Sequence, residues 1–221
     1  MVWDPVWENI FRKQAWGKYP AEDLIRFIAR NFYAVPDRSQ VKILEVGCGP
    51  GANLWYMARE GFTVYGIDGS ETAIKEAQAR LDAEVNEWQG EVIVGDLLNL
   101  PYEDAFFDAV IDNEAIYSNS YEDAKQIYNN IYRVLKTNGK LFVRTFATGS
   151  YGDGTGLNVG HRAYNVAEGP MLNKGYSRFT DAEDIQDLFM NYVILEKELI
   201  TRTVENMTHK IKEFIIIAQK F

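Results

Sequence analysis

The eleven residues 41–51, VKILEVGCGPG, constrain this chain more than any other stretch of it. Val41, Ile43, Leu44 and Val46 form a short apolar run of strand character, and Gly47, Gly49 and Gly51 follow as soon as it ends. Glycines at a strand end permit a backbone with φ > 0 and let a ligand approach the main chain closely. Residues 52–60 then read as a helix. The loop is therefore expected to present backbone N–H groups and a helix N-terminus to its ligand, and a nucleotide-like molecule suits it.

The order strand, turn, helix repeats downstream. Residues 63–67 read as a strand, 71–86 as a helix and 91–94 as a strand; 105–111 give a fourth strand, 121–135 a helix, and 140–146 a fifth strand after the Asn138-Gly139 turn. That alternation marks βαβ units, whose right-handed crossovers build a doubly wound parallel sheet. Upstream, Leu24, Ile25, Phe27, Ile28 and Phe32 recur at near-helical spacing over 21–32, with Pro20 suited to the first turn. The C-terminus breaks the alternation. Thr180 with Glu183 predicts a capping box opening a helix that runs to about Met190. Two strand-like runs follow, 192–200 and 211–219, and the residues between them are too few for a parallel crossover. The expectation is an α/β fold: a doubly wound, seven-stranded, mostly parallel sheet closed by a C-terminal antiparallel hairpin.

A chain of 221 residues, 47% hydrophobic and 25% charged, has the composition of one domain with a substantial core, here 1–221 with residues 1–37 as an N-terminal helical cap. Residues 148–178 are glycine-rich without periodicity, which suits a lid or a disordered loop; Tyr151, Tyr164, Tyr176 and His161 favour a lid over a substrate. No apolar run is long enough to span a bilayer, and the first residues lack the basic-then-apolar order of a signal peptide, so a cytoplasmic protein without a membrane partner is expected. Cys48 is the only cysteine, which rules out an intramolecular disulfide and a thiolate metal cluster. A net charge of −9 argues against nucleic acid and favours a small-molecule partner. A monomer or a homodimer fits this composition equally.

The glycine loop by itself leaves two ligands open. Gly47 to Ala52 satisfies G-x-G-x-x-G/A, and Asp68 lies about where a dinucleotide site has its ribose-binding acid. Three features speak against that reading. Glu45 occupies a strand position where a dinucleotide fingerprint ordinarily carries an apolar residue. Gly95-Asp96-Leu97 ends the third strand with a carboxylate able to accept from an exocyclic amine. The terminal hairpin is not what a second mononucleotide-binding half supplies.

Over residues 38–146 and the terminal hairpin the chain resembles the class I S-adenosylmethionine-dependent methyltransferases, of the small-molecule type. Glu45 to Gly51 is similar to their first motif, Gly66-Ile67-Asp68 to the second, and Gly95-Asp96-Leu97 to the third. Phe107 to Val110 resembles the lead into their fourth strand. Tyr132 to Lys140 resembles their R-x-L-K-P-G-G turn, with Thr137 and Asn138 replacing the usual Pro and Gly. The resemblance implies that S-adenosylmethionine is the cofactor and S-adenosylhomocysteine the product. It further implies that Gly47, Cys48, Gly49 and Gly51, with Glu45, hold the methionine part, that Asp68 and Gly69 meet the ribose, and that Asp96 and Leu97 meet the adenine. Asn113 is expected to line the same pocket, and Trp16 and Tyr19 to fold over it. Cys48 reads as a small loop filler rather than a nucleophile. The N-terminal aromatics Trp3, Trp7 and Phe11 read equally as packing.

Methyl transfer is an in-line displacement in which alignment and exclusion of water supply most of the catalysis, so a dedicated base is optional. Candidates for one are Glu114 and Tyr117 after the fourth strand, Asp112 beside them, and His161 in the lid; Asp112 and Glu114 can equally cap the following segment. Asn113 to Ile116 is not the N/D/S-P-P-Y/F tetrapeptide of enzymes acting on exocyclic base amines or protein glutamine. Arg144 to Ala147 offers no metal ligand of the catechol-type enzymes, so no metal is expected. The expected function is methyl transfer to an oxygen or nitrogen of a small polar metabolite. An NAD(P)-dependent oxidoreductase and a catalytically silent cofactor-binding protein are the alternatives.

Overall fold

Neighbouring residues in the central strands feed two different cores, as a sheet covered on both faces requires. The structure, a computed structural model, describes residues 4–221; Trp3 lies outside them. Two helices come first, α1 (Val6–Lys13) and α2 (Glu22–Phe32), and then β1 (Lys42–Val46), α3 (Ala52–Arg59), β2 (Thr63–Asp68), α4 (Glu71–Glu84), β3 (Gly90–Val94), β4 (Phe107–Asn113), α5 (Tyr121–Val134) and β5 (Leu135–Phe146). Three short strands follow, β6 (Leu157–Gly160), β7 (Ala163–Asn165) and β8 (Tyr176–Arg178), and the chain ends with α6 (Ala182–Leu188), β9 (Val193–Val204) and β10 (His209–Gln219).

The main sheet has seven strands in the order β3-β2-β1-β4-β5-β10-β9, parallel from β1 to β5 with β10 antiparallel to both β5 and β9. Ile43, Val64, Ile111 and Phe142 face one way and pack on Leu24, Phe27 and Ile28 of α2, Leu54 and Met57 of α3 and Leu81 of α4. Leu44, Ile67, Val110 and Val143 face the other way, onto Ile127 and Ile131 of α5 and Ile185 and Leu188 of α6. Burying each of these side chains contributes roughly 1.5–3 kcal/mol, and the two cores hold the strand ends in fixed register. Val46 is paired with Ile67 on one side and Asp112 on the other, which brings Gly47, Asp68 and Asn113 to one edge.

The structure differs from the sequence expectation at five places, the first being that β5 begins at Leu135 rather than 140 and takes in Asn138 and Gly139. The fourth strand starts at Phe107 rather than 105, because Ala105 has φ +54 and its N–H and that of Phe106 donate to Arg133 and Val134 carbonyls in a turn. The α6 capping box is made by Asp181 and Asp184; Thr180 instead bridges Ala147 in extended backbone. A carboxylate one residue nearer the helix accepts the first-turn amides better placed than the hydroxyl could. The hairpin strands run on to Val204 and His209, leaving 205–208 as the turn. Residues 148–178 hold a small antiparallel sheet, β6-β7-β8, seated on a third core of Tyr117, Phe146, Met171, Phe179 and Ile211. Among the described residues no helix is long and apolar enough to cross a membrane.

Candidate active site

Beyond the C-terminal ends of β1, β2, β3 and β4 lies a cavity of about 490 Å³, the position where open α/β sheets bind ligands. Its floor is the glycine loop with Asp68 and Gly69, one wall is Asp96 and Leu97, and the far wall carries Asn113, Glu114 and Tyr117. Its roof is the N-terminal segment. Trp16, Tyr19, Glu45, Gly47, Cys48 and Gly49 all line it.

The loop amides do not point at the cavity as the sequence had suggested. Gly47 and Cys48 N–H donate to the Ile67 carbonyl at 2.8 and 3.2 Å, Gly49 N–H to Asp68 Oδ2 at 2.9 Å, and Gly51 N–H to the Cys48 carbonyl at 3.1 Å. Gly47 tolerates no side chain: its φ is +63 and a Cβ would lie 2.3 Å from Ala115 Cβ. Gly51, expected to touch the ligand, is not in the cavity lining; it is the left-handed N-cap of α3, closed against Ala77 of α4.

Carboxylates surround this loop. Asp68 Oδ1 accepts from Ser70 N–H at 2.8 Å, and burial raises its pKa against the backbone hydrogen bonds from Ser70, Gly49 and Gly69. Glu45 is 3% exposed, and its Oε1 accepts from Asn53 Nδ2 at 2.5 Å. Burial pushes its pKa up to about 8, against the Asn53 bond and with help from Asp68 and Asp112. Glu45 Oε2, Asn113 Oδ1 and Trp7 Nε1, all on cavity-lining residues, are buried without a partner among the described residues. A buried polar atom left unpaired costs about 1–3 kcal/mol, so two acceptors and one donor there fit a polar guest. The Cys48 thiol is pushed up by burial and by the Asp68 and Glu45 charges, which keeps it protonated and unreactive.

On the far wall Glu114 has φ +58, an uncommon conformation for a side chain of its size, and holds Arg144 Nε at 3.2 Å. Arg144 Nη2 lies 2.8 Å from Glu213 Oε2, and Glu114 donates a hydrogen bond to Glu213. Burial, with that bond, raises Glu114 to about 8, while Glu213 is held low by Glu114 and Arg144 against its own burial. Tyr117 is buried, its hydroxyl pKa pushed well up, and donates to Met171 Sδ at 3.6 Å. Asp112 is a structural anchor, accepting from the amides of Ala115 and Ile116 and from Tyr128 Oη at 2.8 Å. His161 is a correction: it is absent from the cavity lining, and its Nε2 is 2.7 Å from Asp184 Oδ1 with its ring against Tyr121. A carboxylate on α6 and an aromatic neighbour hold the lid histidine to the side of the domain.

Sequence reasoning missed Glu8, Lys174, Arg202, Arg144 and Glu213. Glu8 of α1 accepts from Ser70 Oγ at 2.5 Å and Thr72 Oγ1 at 2.6 Å and pairs with Arg12 at 2.7 Å; the two hydroxyls are the main reason its pKa falls to about 2. This bond ties α1 to the start of α4, with Trp7, Phe11 and Trp16 in mutual contact at centroid distances of 6.0, 5.8 and 5.5 Å and the Phe11 ring lying over Gly49. One signal for Glu213 was available, since it shares a strand face with Ile211 and Ile215 and so is a carboxylate at a core position.

The family described as a methyltransferase domain matches residues 44–143. Norajmaline N-methyltransferase from Rauvolfia serpentina is 30% identical over 140 residues, 63% of this chain and 47% of that protein. The chain spans about half the length of the curated relatives it matches. Among solved structures, a SAM-dependent methyltransferase from Methanosarcina mazei superposes with a TM-score of 0.70 at 20% identity, covering 92% of this chain and 99% of that one. The 1,6-didemethyltoxoflavin-N1-methyltransferase of Burkholderia thailandensis, solved with 1,6-didemethyltoxoflavin and S-adenosylhomocysteine, superposes with a TM-score of 0.67 at 16% identity, covering 90% and 77%. At these identities the structural likeness is one of fold.

Proposed function

We propose that this chain, whose residues 44–143 match a methyltransferase domain, is a class I S-adenosylmethionine-dependent methyltransferase that transfers a methyl group from S-adenosylmethionine to an oxygen or nitrogen of a small polar molecule, leaving S-adenosylhomocysteine. The observation that carries this is the chemistry of the glycine loop. Its amides are engaged within the protein and Glu45 and Asp68 stand beside it, so a pyrophosphate would meet carboxylates instead of free N–H donors. A ligand with a cationic ammonium and sulfonium and a sugar diol suits the same surroundings. When bound, that cofactor supplies a methyl group activated by the adjacent sulfonium.

The residues have separable tasks in this reading. Glu45 Oε2 and Asn113 Oδ1 accept from the amino group of the methionine part, which Gly47, Cys48 and Gly49 cradle. Asp68, beside Gly69, accepts from both ribose hydroxyls, at roughly 1.5–3 kcal/mol for each charge-assisted bond. Asp96 and Leu97 hold the adenine, and Trp16 and Tyr19 cover it. Tyr117, with its hydroxyl turned to Met171, keeps water from the reacting centre. Glu114, once it has given up its own proton, takes the proton that the acceptor releases. Supporting this reading, the toxoflavin enzyme of the same fold was solved with S-adenosylhomocysteine and the small molecule 1,6-didemethyltoxoflavin.

Native mass spectrometry with S-adenosylmethionine and NAD offered in parallel tests the reading. One equivalent of the methyl donor is expected to be retained and NAD excluded; retention of NAD alone, or of neither, would overturn it.

A further inference from the structure

The cavity is polarised from end to end. Its cofactor end holds Glu45, Asp68 and Asp96, in keeping with a net charge of −9, but its acceptor end carries two cations, Lys174 and Arg202 of β9. Neither lies within ion-pair distance of a carboxylate among the described residues, whereas the third cation there, Arg144, is held by Glu114 and Glu213. Lys174 Nζ sits 5.3 Å over the Trp16 ring, half-buried, and burial lowers its pKa. Arg202 projects from the exposed edge strand opposite Ile211.

Three acidic residues face these cations, Glu114, Asp4 and Glu213, and none lies within ion-pair distance of either among the described residues; Glu213, whose carboxylate is lowered in part by Arg202, is engaged by Arg144 at 2.8 Å. Glu114 keeps its proton to about pH 8 through burial and its bond to Glu213. Asp4, at the rim, uses Oδ1 to accept the Val6 N–H at the start of α1. The half-buried ammonium is costly to leave without an anion, and the more exposed guanidinium lining the same cavity adds paired N–H donors for one. An apolar patch lies on the same wall, beside Ser118 and Asn119. Tyr117 and Phe146 meet edge to face at 5.2 Å, with Met171 beside them.

We propose that the methyl acceptor is a small organic acid, whose carboxylate or phosphate is held by Lys174 and Arg202 while its apolar body rests on Tyr117, Phe146 and Met171. The acid group then sets the orientation, and the nucleophilic oxygen or nitrogen is carried toward Glu114. This rests on the methyl-transfer reading above and names the substrate class for that site.

Three probes of similar size test it on the full chain saturated with S-adenosylhomocysteine: benzoate, phenyl phosphate and benzyl alcohol, followed by thermal shift and calorimetry. At least one of the two acids is expected to bind and the alcohol not, and the preferred acid tells carboxylate from phosphate. The Lys174→Met/Arg202→Gln double variant, itself brought to saturation with S-adenosylhomocysteine, is expected to bind that acid at least tenfold more weakly. Lys174→Arg/Arg202→Lys, which keeps both charges, retains it. Binding of the alcohol as tightly as the acids, failure of both acids to bind the loaded protein, or acid binding unaltered in the charge-removing variant would each overturn the proposal. Failure of S-adenosylhomocysteine to bind the unaltered protein would instead overturn the methyl-transfer reading, and the first titration reads that separately.

Discussion

Glu45, buried, and Glu114, partly buried, are carboxyls raised to about 8 at opposite ends of one cavity, and they lead to two different pH dependences. Glu45 must be ionised to hold an ammonium, so donor affinity is expected to rise by roughly tenfold or more from pH 6 to pH 8, with release of about one proton. Calorimetry in buffers of different ionisation enthalpy reads that proton, and Glu45→Gln should flatten the rise. Glu114 works as a base only when deprotonated, so the turnover rate should climb to a plateau above about pH 8, and Glu114→Gln should remove that limb while donor affinity holds. An unchanged pH–rate profile in the variant would exclude Glu114 as the base. Residues on the glycine loop were legible in the sequence because strand, glycine and acid succeed one another locally. Glu213 and Arg144 were not, because only the pairing of β10 with β5 brings them to Glu114. His161 misled for the same reason: nothing local announces that Asp184 of α6 holds it.

Among the elements, α1 is the part of the site with the weakest sequence signal and a large consequence. Glu8 fastens it to Ser70 and Thr72, and its lowered pKa contributes stability that is complete above about 4.5 and is lost as pH falls toward about 2. Glu8→Ala is expected to loosen the roof over Gly49, raising the dissociation rate of S-adenosylhomocysteine about tenfold, for a loss near 1.4 kcal/mol. Stopped-flow tryptophan fluorescence, reporting on Trp7 and Trp16, checks this; an unchanged rate would mean that α1 does not close the cavity. The parallel strands were readable because alternation and turn residues specify them, and the hairpin because its connection is short. The small sheet of residues 148–178 was not, since strands of three or four residues between glycines leave no period to detect. Its stability comes from the core it shares with Tyr117 and Phe146, a tertiary contact.

For the whole molecule, the sheet supplies a rigid floor and two segments distant in sequence, the N-terminus and residues 170–174, close it from above. A ligand bridging floor and roof stabilises the folded state by mass action, about 2.7 kcal/mol at one hundred times its dissociation constant. For a domain of this size that corresponds to a rise in Tm of roughly 5–10 °C with S-adenosylhomocysteine, and NAD at the same concentration should give none. In the proposed function, Asp68 and its neighbours form the seat of the methyl donor. Calorimetric titration of S-adenosylhomocysteine into the unaltered protein and into Asp68→Ala tests it most directly. Loss of two charge-assisted bonds and of the Gly49 anchor predicts affinity weaker by roughly a hundredfold or more, and equal affinity in the two proteins would contradict the account.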